Sequence, residues 1–181
     1  MQKVDLIIRN GIILTQDADD TILYGGSVAV RNGRIVAVGT KEEIEREYHG
    51  VKRIDAAGKA VLPGFVNTHF HFTQNFMKGT RDDLDLLDWI DQVSFPRIKV
   101  TLDEYRRGSA DIHRLSAYHA GIDLLSSGIT CTTNMEWGMR PEIREAYDAL
   151  GMRNINILTL TDVDSWTPKE AIIEEEEIFG L

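Results

Sequence analysis

Two histidines separated by one residue, His69 and His71, have the type and spacing in this sequence that point most directly to chemistry. They end a run predicted to be a β-strand, in which every second side chain leaves the same face, so both imidazoles should lie on one side. Their α-carbons would lie roughly 7 Å apart, and imidazole nitrogens bind an ion at about 2.1 Å. The pair predicts a metal site, with two hydrogen-bonded histidines of no catalytic role as the alternative.

The first sixty residues, which precede this pair, are predicted to form short β-strands and one helix. Residues 4–8 and 12–15 are apolar and β-branched, with a turn expected at Asn10-Gly11 between them. Asn32-Gly33 predicts a hairpin, because both central residues of that turn adopt positive φ. Thr40 and Glu43 have capping-box spacing and predict a helix over about residues 40–48.

After residue 60 the sequence alternates between buried strands and helices. The apolar run 61–66, interrupted by Pro63-Gly64, predicts a strand buried on both faces. A helix is predicted over 101–127, with a capping box at Thr101 and Glu104 and an apolar face. This rhythm is typical of βα units on a parallel sheet. The apolar face of this helix comprises Ile112, Leu115, Tyr118, Ile122 and Leu125. The later predicted elements are a strand at 129–135, a helix from Pro141 to Leu150, a strand at 154–161 and a helix at 168–179.

Composition and charge exclude several classes of function. The net charge is −9 and the basic residues are scattered, which argues against binding to nucleic acid or to an anionic membrane. No apolar run reaches the roughly 18 residues that a membrane span needs. The single cysteine, Cys131, precludes an internal disulfide and indicates a reducing compartment. We therefore expect a soluble, cytoplasmic protein.

The segment around the two histidines closely resembles the amidohydrolase superfamily. The resemblance lies in residues 54–59 and 62–71, which contain the motif Pro63-Gly64-x-x-x-x-His69-x-His71. It is most similar to the branch that contains triazine hydrolases, guanine and cytosine deaminases and S-adenosylhomocysteine deaminases. The resemblance continues through 77–79, 87–90 and 127–130 and covers nearly the whole chain. It implies an α/β fold in which residues 1–60 form a β-sandwich portion and 61–181 form the first three βα units of a (β/α)8 TIM-type barrel, incomplete in this chain.

The resemblance also implies a function and roles for particular residues. His69 and His71 would hold one divalent ion, zinc foremost, with iron or manganese also suited to such ligands. The ion would provide hydroxide that attacks an electron-poor ring carbon of an amino-substituted N-heterocycle of the purine, pyrimidine or triazine type, releasing ammonia or another leaving group. Gln74 and Trp89 match residues of the substrate pocket, with a loop hydrogen bond and a core position as their respective alternatives.

The strand at 129–135 carries a further candidate. If its side chains alternate, a polar set of Thr130, Thr132, Asn134 and Glu136 would face the barrel interior. Glu136 is then a candidate substrate-binding residue, with a structural polar layer as the alternative.

The chain provides only part of the expected site. A catalytic zinc ion needs about three protein ligands besides water, and in this family the other ligands and the general base come from later barrel strands, so the catalytic residue is unknown. Three alternatives stay open: a fragment of an active enzyme, half of a split enzyme that needs a complementing C-terminal chain, or an inactive module that retained the motif. An open three-stranded sheet would expose an edge and its apolar side, which favours the fragment. The family further suggests a homodimer.

Overall fold

The computed structural model describes residues 1–136 and 141–158. Within them the chain forms two compact units, the first spanning Met1–Pro63 and the second beginning at Gly64. Each unit has its own β-sheet. Among the helices in the described residues, none is long and apolar enough to cross a membrane.

The first unit is a five-stranded sheet with one short helix. Its strands follow the order β3-β2-β1-β4, and β5 also pairs with β1. The hairpin between β2 and β3 turns at Asn32 and Gly33 with φ of 51° and 70°, as predicted. The predicted capping box is also confirmed, because Thr40 and Glu43 cap the helix reciprocally. The elements are β1 (Gln2–Leu14), β2 (Ile22–Arg31), β3 (Arg34–Thr40), α1 (Lys41–Glu47), β4 (Tyr48–Asp55) and β5 (Ala60–Val61).

The turn predicted at Asn10-Gly11 is wrong, because β1 continues through it. Asn10 does adopt a positive φ of 61°, but the pairing of β1 with β2 is only shifted there, between Ile8 and Gly11. A bulge of this kind absorbs an extra residue while both halves of the strand keep their partners. A Cβ on Gly11 would lie 2.8 Å from Cγ2 of Val61, so the close approach of β5 also requires glycine.

The second unit has a parallel sheet in the order β6-β7-β8 with helices between its strands, as the βα pattern predicted. A 3-10 turn, Phe72–Met77, follows β6, and one π-helical turn, Ile90–Ser94, joins α2 to α3. The buried core lies between the 3-10 turn, α4 and α5, and includes Phe72, Ala117, Ala120 and Tyr147. The elements are β6 (Phe65–Phe70), α2 (Leu86–Trp89), α3 (Phe95–Arg106), α4 (Asp111–Ser126), β7 (Ile129–Glu136), α5 (Pro141–Leu150) and β8 (Arg153–Leu158).

The single buried strand predicted over 61–66 is instead divided at Pro63-Gly64. Val61 ends β5 in the first sheet, and Phe65 begins β6 in the second. Phe65 and Val66 are 55% and 63% exposed, so this part of β6 is not buried on both faces. The physical reason is its position, since β6 is an edge strand of the described three-stranded sheet.

The long helix predicted over 101–127 is two helices, α3 and α4. Gly108, with φ of 87°, lies in the break between them, and left-handed backbone of this kind ends a helix. Thr101 is therefore not an N-cap: it lies inside α3, and its hydroxyl donates to the carbonyl of Ile98 at 2.9 Å. Gly128, with φ of 81°, follows the end of α4.

The predicted apolar face of α4 is correct only in part, because Tyr118 and Leu125 pack against the core but two other members do not. Leu115 and Ile122 are 67% and 57% exposed, whereas Ala117, Ala120 and Gly121 are buried. Small residues allow α4 to approach its neighbours closely: a Cβ on Gly121 would lie 2.3 Å from Cδ1 of Leu150 in α5. Close packing thus outweighs the larger apolar side chains in deciding which face of α4 is buried.

The helix predicted from Pro141 to Leu150 is confirmed as α5, which buries Ile143, Ala146 and Tyr147. The strand predicted over 154–161 corresponds in its first part to β8. Its remainder and the helix predicted over 168–179 lie outside the described residues.

Candidate functional site

The two histidines meet at the carboxyl end of β6. His69 lies within the strand and His71 directly after it, before the 3-10 turn Phe72–Met77. Their ring centroids are 5.0 Å apart and the ring planes meet at 82°. His69 is exposed and its main-chain N–H donates to Oδ1 of Asn67 at 3.0 Å. The structure thus brings the two imidazoles together at one strand end, as the spacing predicted.

The ring of His71 is oriented by the neighbouring strand. Its Nδ1 lies 2.6 Å from the main-chain oxygen of Met135 in β7. A carbonyl oxygen only accepts, so this contact requires a proton on Nδ1, and the neutral imidazole then carries its lone pair on Nε2. A hydrogen bond from one ring nitrogen commonly fixes the tautomer of a metal-ligating histidine. His71 is therefore prepared to offer Nε2 to an electrophile.

The end of β7 holds the whole segment around His71, and we call residues 134–136 the strand clamp. Asn134 accepts from the main-chain N–H of Phe72 at 3.1 Å. Glu136 accepts from the main-chain N–H of Thr73 at 2.9 Å and from its hydroxyl at 2.6 Å. With the Met135 contact, three consecutive residues of β7 bind residues 71–73, so the backbone leaving β6 is fixed in place.

The side-chain alternation of β7 is the reverse of what the sequence predicted. Asn134 and Glu136 are buried and bind the turn that packs on α4 and α5, whereas Ile155 and Ile157 of the neighbouring strand β8 are exposed. The two isoleucines pair with Thr133 and Met135, the other set of β7 side chains. The polar set therefore lies on the face that the helices cover, and its assignment to the barrel interior is wrong.

Glu136 nevertheless reaches the edge of the site. It is 6% exposed, and burial raises the pKa of its carboxyl, opposed by the two Thr73 hydrogen bonds and by the positive charge of Arg97. The sequence suggested either a substrate contact or a structural polar layer for Glu136. Its hydrogen bonds give it a structural part in the strand clamp.

A second polar cluster holds the far side of the 3-10 turn. Nδ2 of Asn75 donates to Nδ1 of His119 at 2.7 Å and to Asp123 at 3.4 Å, both on α4. Nζ of Lys78 lies 2.6 Å from the Asp123 carboxylate. The bonds from Lys78 and Asn75 hold the pKa of Asp123 below its usual range. The turn after His71 is thus tied to β7 at one end and to α4 at the other.

A cleft of about 350 Å³ opens beside the histidines. This volume lies within the range of about 300–1,000 Å³ typical of small-molecule sites. The three residues predicted to bind substrate, Gln74, Trp89 and Glu136, line it. The other lining residues are His69, His71, Leu86, Ile90, Ser94, Arg97, Ile98 and Met135.

One charged residue of this cleft, Arg97, was not predicted as a site residue. It follows Pro96 on α3, and nothing in its local pattern distinguishes it from a solvent-exposed arginine. Burial lowers the pKa of its guanidinium, opposed by the charge of Glu136. Only the cleft that α3 lines together with the end of β6 shows where Arg97 lies.

The described part of the chain brings together two candidate metal ligands, His69 and His71. Within residues 1–136 and 141–158, no group of three or more histidine, cysteine or acidic side chains could hold an ion together. His119 is bonded to Asn75, and Cys131 is half-buried. His69 and His71 fit a metal ion as two imidazole ligands, and about one further protein ligand would be needed for a catalytic zinc site.

Comparison with known proteins gives a consistent picture. The model of the amidohydrolase family matches residues 60–161, and that of the bacterial imidazolonepropionase-like composite domain matches residues 28–50. The chain is 33% identical over 154 residues to a 5-methylthioadenosine/S-adenosylhomocysteine deaminase of Syntrophobacter fumaroxidans, covering 84% of this chain and 33% of the relative. It is 32% identical over 150 residues to a 5'-deoxyadenosine deaminase of Methanosarcina mazei, covering 82% and 32%. The chain thus spans about a third of the length of these relatives.

Solved structures agree on the fold. An adenosine deaminase from Xanthomonas campestris with bound zinc superposes with a TM-score of 0.73 at 25% identity, covering 84% of this chain and 33% of that one. A zinc complex of an atrazine chlorohydrolase from Arthrobacter aurescens superposes with a TM-score of 0.74 at 21% identity, covering 97% and 42%. The predicted α/β class, with the N-terminal part of a TIM-type barrel, is confirmed.

Proposed function

Since this chain belongs to the amidohydrolase family, as its Pro63-Gly64 and His69-x-His71 motif predicted, we propose that it is the N-terminal part of a hydrolytic deaminase. The substrate is an amino-substituted N-heterocycle, and His69 and His71 are two ligands of one divalent metal ion. The observation that carries the proposal is the 2.6 Å contact between Nδ1 of His71 and Met135, which leaves Nε2 for the ion.

Zinc is the ion that we propose. The bound zinc in two similar structures supports it, although imidazole ligands are also suited to iron and manganese. When bound, such an ion lowers the pKa of water and so supplies a nucleophile near neutral pH. The remaining ligands and the general base would come from later strands of the barrel, as the resemblance to the family implies.

The residues of the cleft bind and orient the heterocycle. Trp89, with apolar neighbours Leu86 and Ile98, provides a flat surface on which a ring can stack. Gln74 has both an amide donor and a carbonyl acceptor and is suited to the edge of a ring that carries nitrogen and amino groups. The named activities of the relatives, all on adenine nucleosides, support a purine as the ring.

The same proposal includes the organisation and location of the enzyme. Residues 1–60 are assigned to a β-sandwich portion and 61–181 to the first three βα units of the barrel. We propose that the enzyme is cytoplasmic, which its single cysteine supports. We also propose that it acts on a small molecule and forms a homodimer.

A second candidate is an inactive or split-chain module that needs a partner. It is favoured by the described residues, which bring together two candidate metal ligands and no group of three. The two candidates differ in activity. A deaminase expressed from its complete gene releases ammonia without a partner, whereas an inactive or split-chain module does not.

The test combines metal analysis with ammonia release on the native protein. We expect His69→Ala and His71→Ala to lose bound zinc and all turnover of adenine nucleosides. His49→Ala is the matched control, because His49 is exposed on β4 in the other unit and should leave both unchanged. Zinc content and turnover equal to the native values in both cleft variants would reject the metal assignment. Ammonia release by the isolated 181-residue chain would reject its dependence on a C-terminal part.

A further inference from the structure

The strand that carries the two histidines contains one more residue than its neighbour over the same length. In the pairing of β6 with β7, Asn67 lies beside Thr132 and Phe70 lies beside Asn134. The chain thus advances by three residues on β6 and by two on β7, although all of these residues belong to the strands. An extra residue of this kind forms a β-bulge, which here lies between Asn67 and Phe70.

The burial of the side chains agrees with a bulge at residues 68 and 69, which we call the β6 bulge. Successive side chains of a regular strand point to opposite faces. Thr68 and His69 are nevertheless both exposed, whereas Asn67 and Phe70 on either side of them are half-buried. Phe70 packs against the core that the helices cover, and its partner Asn134 is buried on the same face. The regular alternation of β6 is therefore interrupted at His69.

The extra residue decides which face of the sheet the histidines occupy. Asn67 pairs with Thr132, which is buried on the face that the helices cover. With regular alternation, His69 and His71 would lie on the face of Asn67, because a period of two places residues 67, 69 and 71 together. A slip of one position moves every later side chain to the opposite face. The histidines therefore line the cleft and not the helix-covered core.

The side chain of Asn67 holds the β6 bulge. Its Oδ1 accepts from the main-chain N–H of His69 at 3.0 Å. Asparagine and aspartate side chains commonly make this bond to the backbone two residues further on. A bulge leaves its extra residue unpaired in the ladder, so a main-chain N–H in it needs another acceptor. Asn67 provides that acceptor from within the same strand.

We propose that Asn67 is a positioning residue, which holds the β6 bulge and so directs His69 and His71 into the cleft. The inference rests on the proposed function for the metal-binding role of the two histidines. Bulges next to active sites commonly re-aim a side chain in this way. The bulge also accounts for the reversed alternation of β7, because without it Asn134 and Glu136 would share a face with the histidines.

The first experiment removes the acceptor and measures zinc binding by the protein expressed from its complete gene. Asn67→Leu is similar in size but has no acceptor for the main-chain N–H of His69. We expect its zinc affinity to fall by about 10–100-fold, which is typical of groups that orient metal ligands. Asn67→Asp keeps an acceptor and should bind zinc with close to native affinity. Competition with a chelator measures the affinity of each variant.

Labelling of the metal-free protein reports the orientation of the ring independently of zinc. Diethyl pyrocarbonate modifies accessible histidine rings, and mass spectrometry locates the product. His69 is exposed and should react in the native protein. In Asn67→Leu its reaction should slow, because the ring then turns towards the helix-covered face. His49, which is exposed on β4 in the other unit, is the internal reference.

Two further variants separate orientation from general destabilisation. Thr132→Val changes the residue that pairs with Asn67, and its buried hydroxyl makes no hydrogen bond within the described residues, so zinc affinity should stay native. Deletion of Thr68 removes the extra residue, so that regular alternation alone directs both histidines into the cleft. In that background Asn67→Leu should have little further effect on zinc affinity. Thermal unfolding shows whether each variant is folded.

Each outcome decides the proposal. Native zinc affinity with native labelling in Asn67→Leu overturns the role of Asn67, and so does an Asn67→Asp protein as impaired as the leucine variant. Equal losses of affinity with and without Thr68 also overturn it. Weaker zinc binding with unchanged labelling of His69 overturns the reorientation. Slower labelling in Asn67→Leu, with zinc binding unchanged or absent from the native protein, would keep the inference and reject the histidines as metal ligands.

Discussion

The carboxylate of Glu136 accepts two hydrogen bonds from Thr73, one from the main-chain N–H at 2.9 Å and one from the hydroxyl at 2.6 Å. The two residues are 63 positions apart in the sequence. Through this pair, the last residue of β7 determines the path of the chain directly after His71. The position of the candidate metal ligand thus depends on a strand other than its own.

Removing the hydroxyl of this pair should destabilise the second unit. Thr73→Val leaves one oxygen of a buried carboxylate without its donor, and we expect a loss of about 1–3 kcal/mol in the free energy of unfolding. Thr73→Ser keeps the hydroxyl and serves as the control. Urea unfolding measures both variants, and equal stability of the valine and native proteins would contradict the role of this bond.

Glu136 should also make stability depend on pH. Its folded pKa is raised above the ordinary value of 4.5 by burial, so between these two values the folded protein holds a proton that the unfolded chain has released. The contribution is fully present below pH 4.5 and is lost as the pH rises through the folded pKa. Unfolding of metal-free protein across this range should show the decline.

Glu136→Gln should remove this decline. The amide can accept from the main-chain N–H of Thr73 and donate to its hydroxyl, so both contacts are retained without a titrating group. A pH dependence identical to that of the native protein would exclude Glu136 as its source.

Two histidines should differ in tautomer. His71 donates from Nδ1 to Met135, whereas Nδ1 of His119 accepts from Asn75 at 2.7 Å and leaves the proton on Nε2. Nitrogen NMR of the metal-free protein, at a pH where both rings are neutral, distinguishes the two forms. The same tautomer in both rings would show that one of these contacts is absent in solution.

A side chain at Gly64 should disturb the junction of β6 and β7. A Cβ there would lie 2.1 Å from Oγ1 and 2.8 Å from Cβ of Thr130. We expect Gly64→Ala to lower the free energy of unfolding by about 1–3 kcal/mol, as for other overpacked sites. In the double variant with Thr130→Gly much of this loss should be recovered, and additive losses in the double-mutant cycle would rule out the clash as its cause.

Elements whose physics is local were predicted correctly. The hairpin at Asn32-Gly33 follows from two residues that tolerate positive φ, and the start of α1 follows from the reciprocal bonds of Thr40 and Glu43. The meeting of His69 and His71 follows from the two-residue period of a strand. In each case the interacting groups lie within a few residues of each other.

Elements that depend on distant partners were not predictable in this way. A positive φ at Asn10 is compatible with a turn and with a bulge, and only the pairing of β1 with β2 shows that it is a bulge. The buried face of α4 is decided by its close contact with α5 at Gly121 and Leu150. A local pattern states which residues are apolar but not which neighbours approach them.

By itself, the sequence determined that a pair of histidines ends a strand and that the family is one of metal-dependent hydrolases. The tertiary structure decided how the pair is used: Met135 fixes the tautomer of His71, and Arg97 enters the cleft from α3. Residues 71 and 135 are 64 positions apart, and no short-range rule relates them. A site of this kind is assembled by the packing of strands and helices, which is why the meeting of the two histidines could be foreseen and the groups that orient them could not.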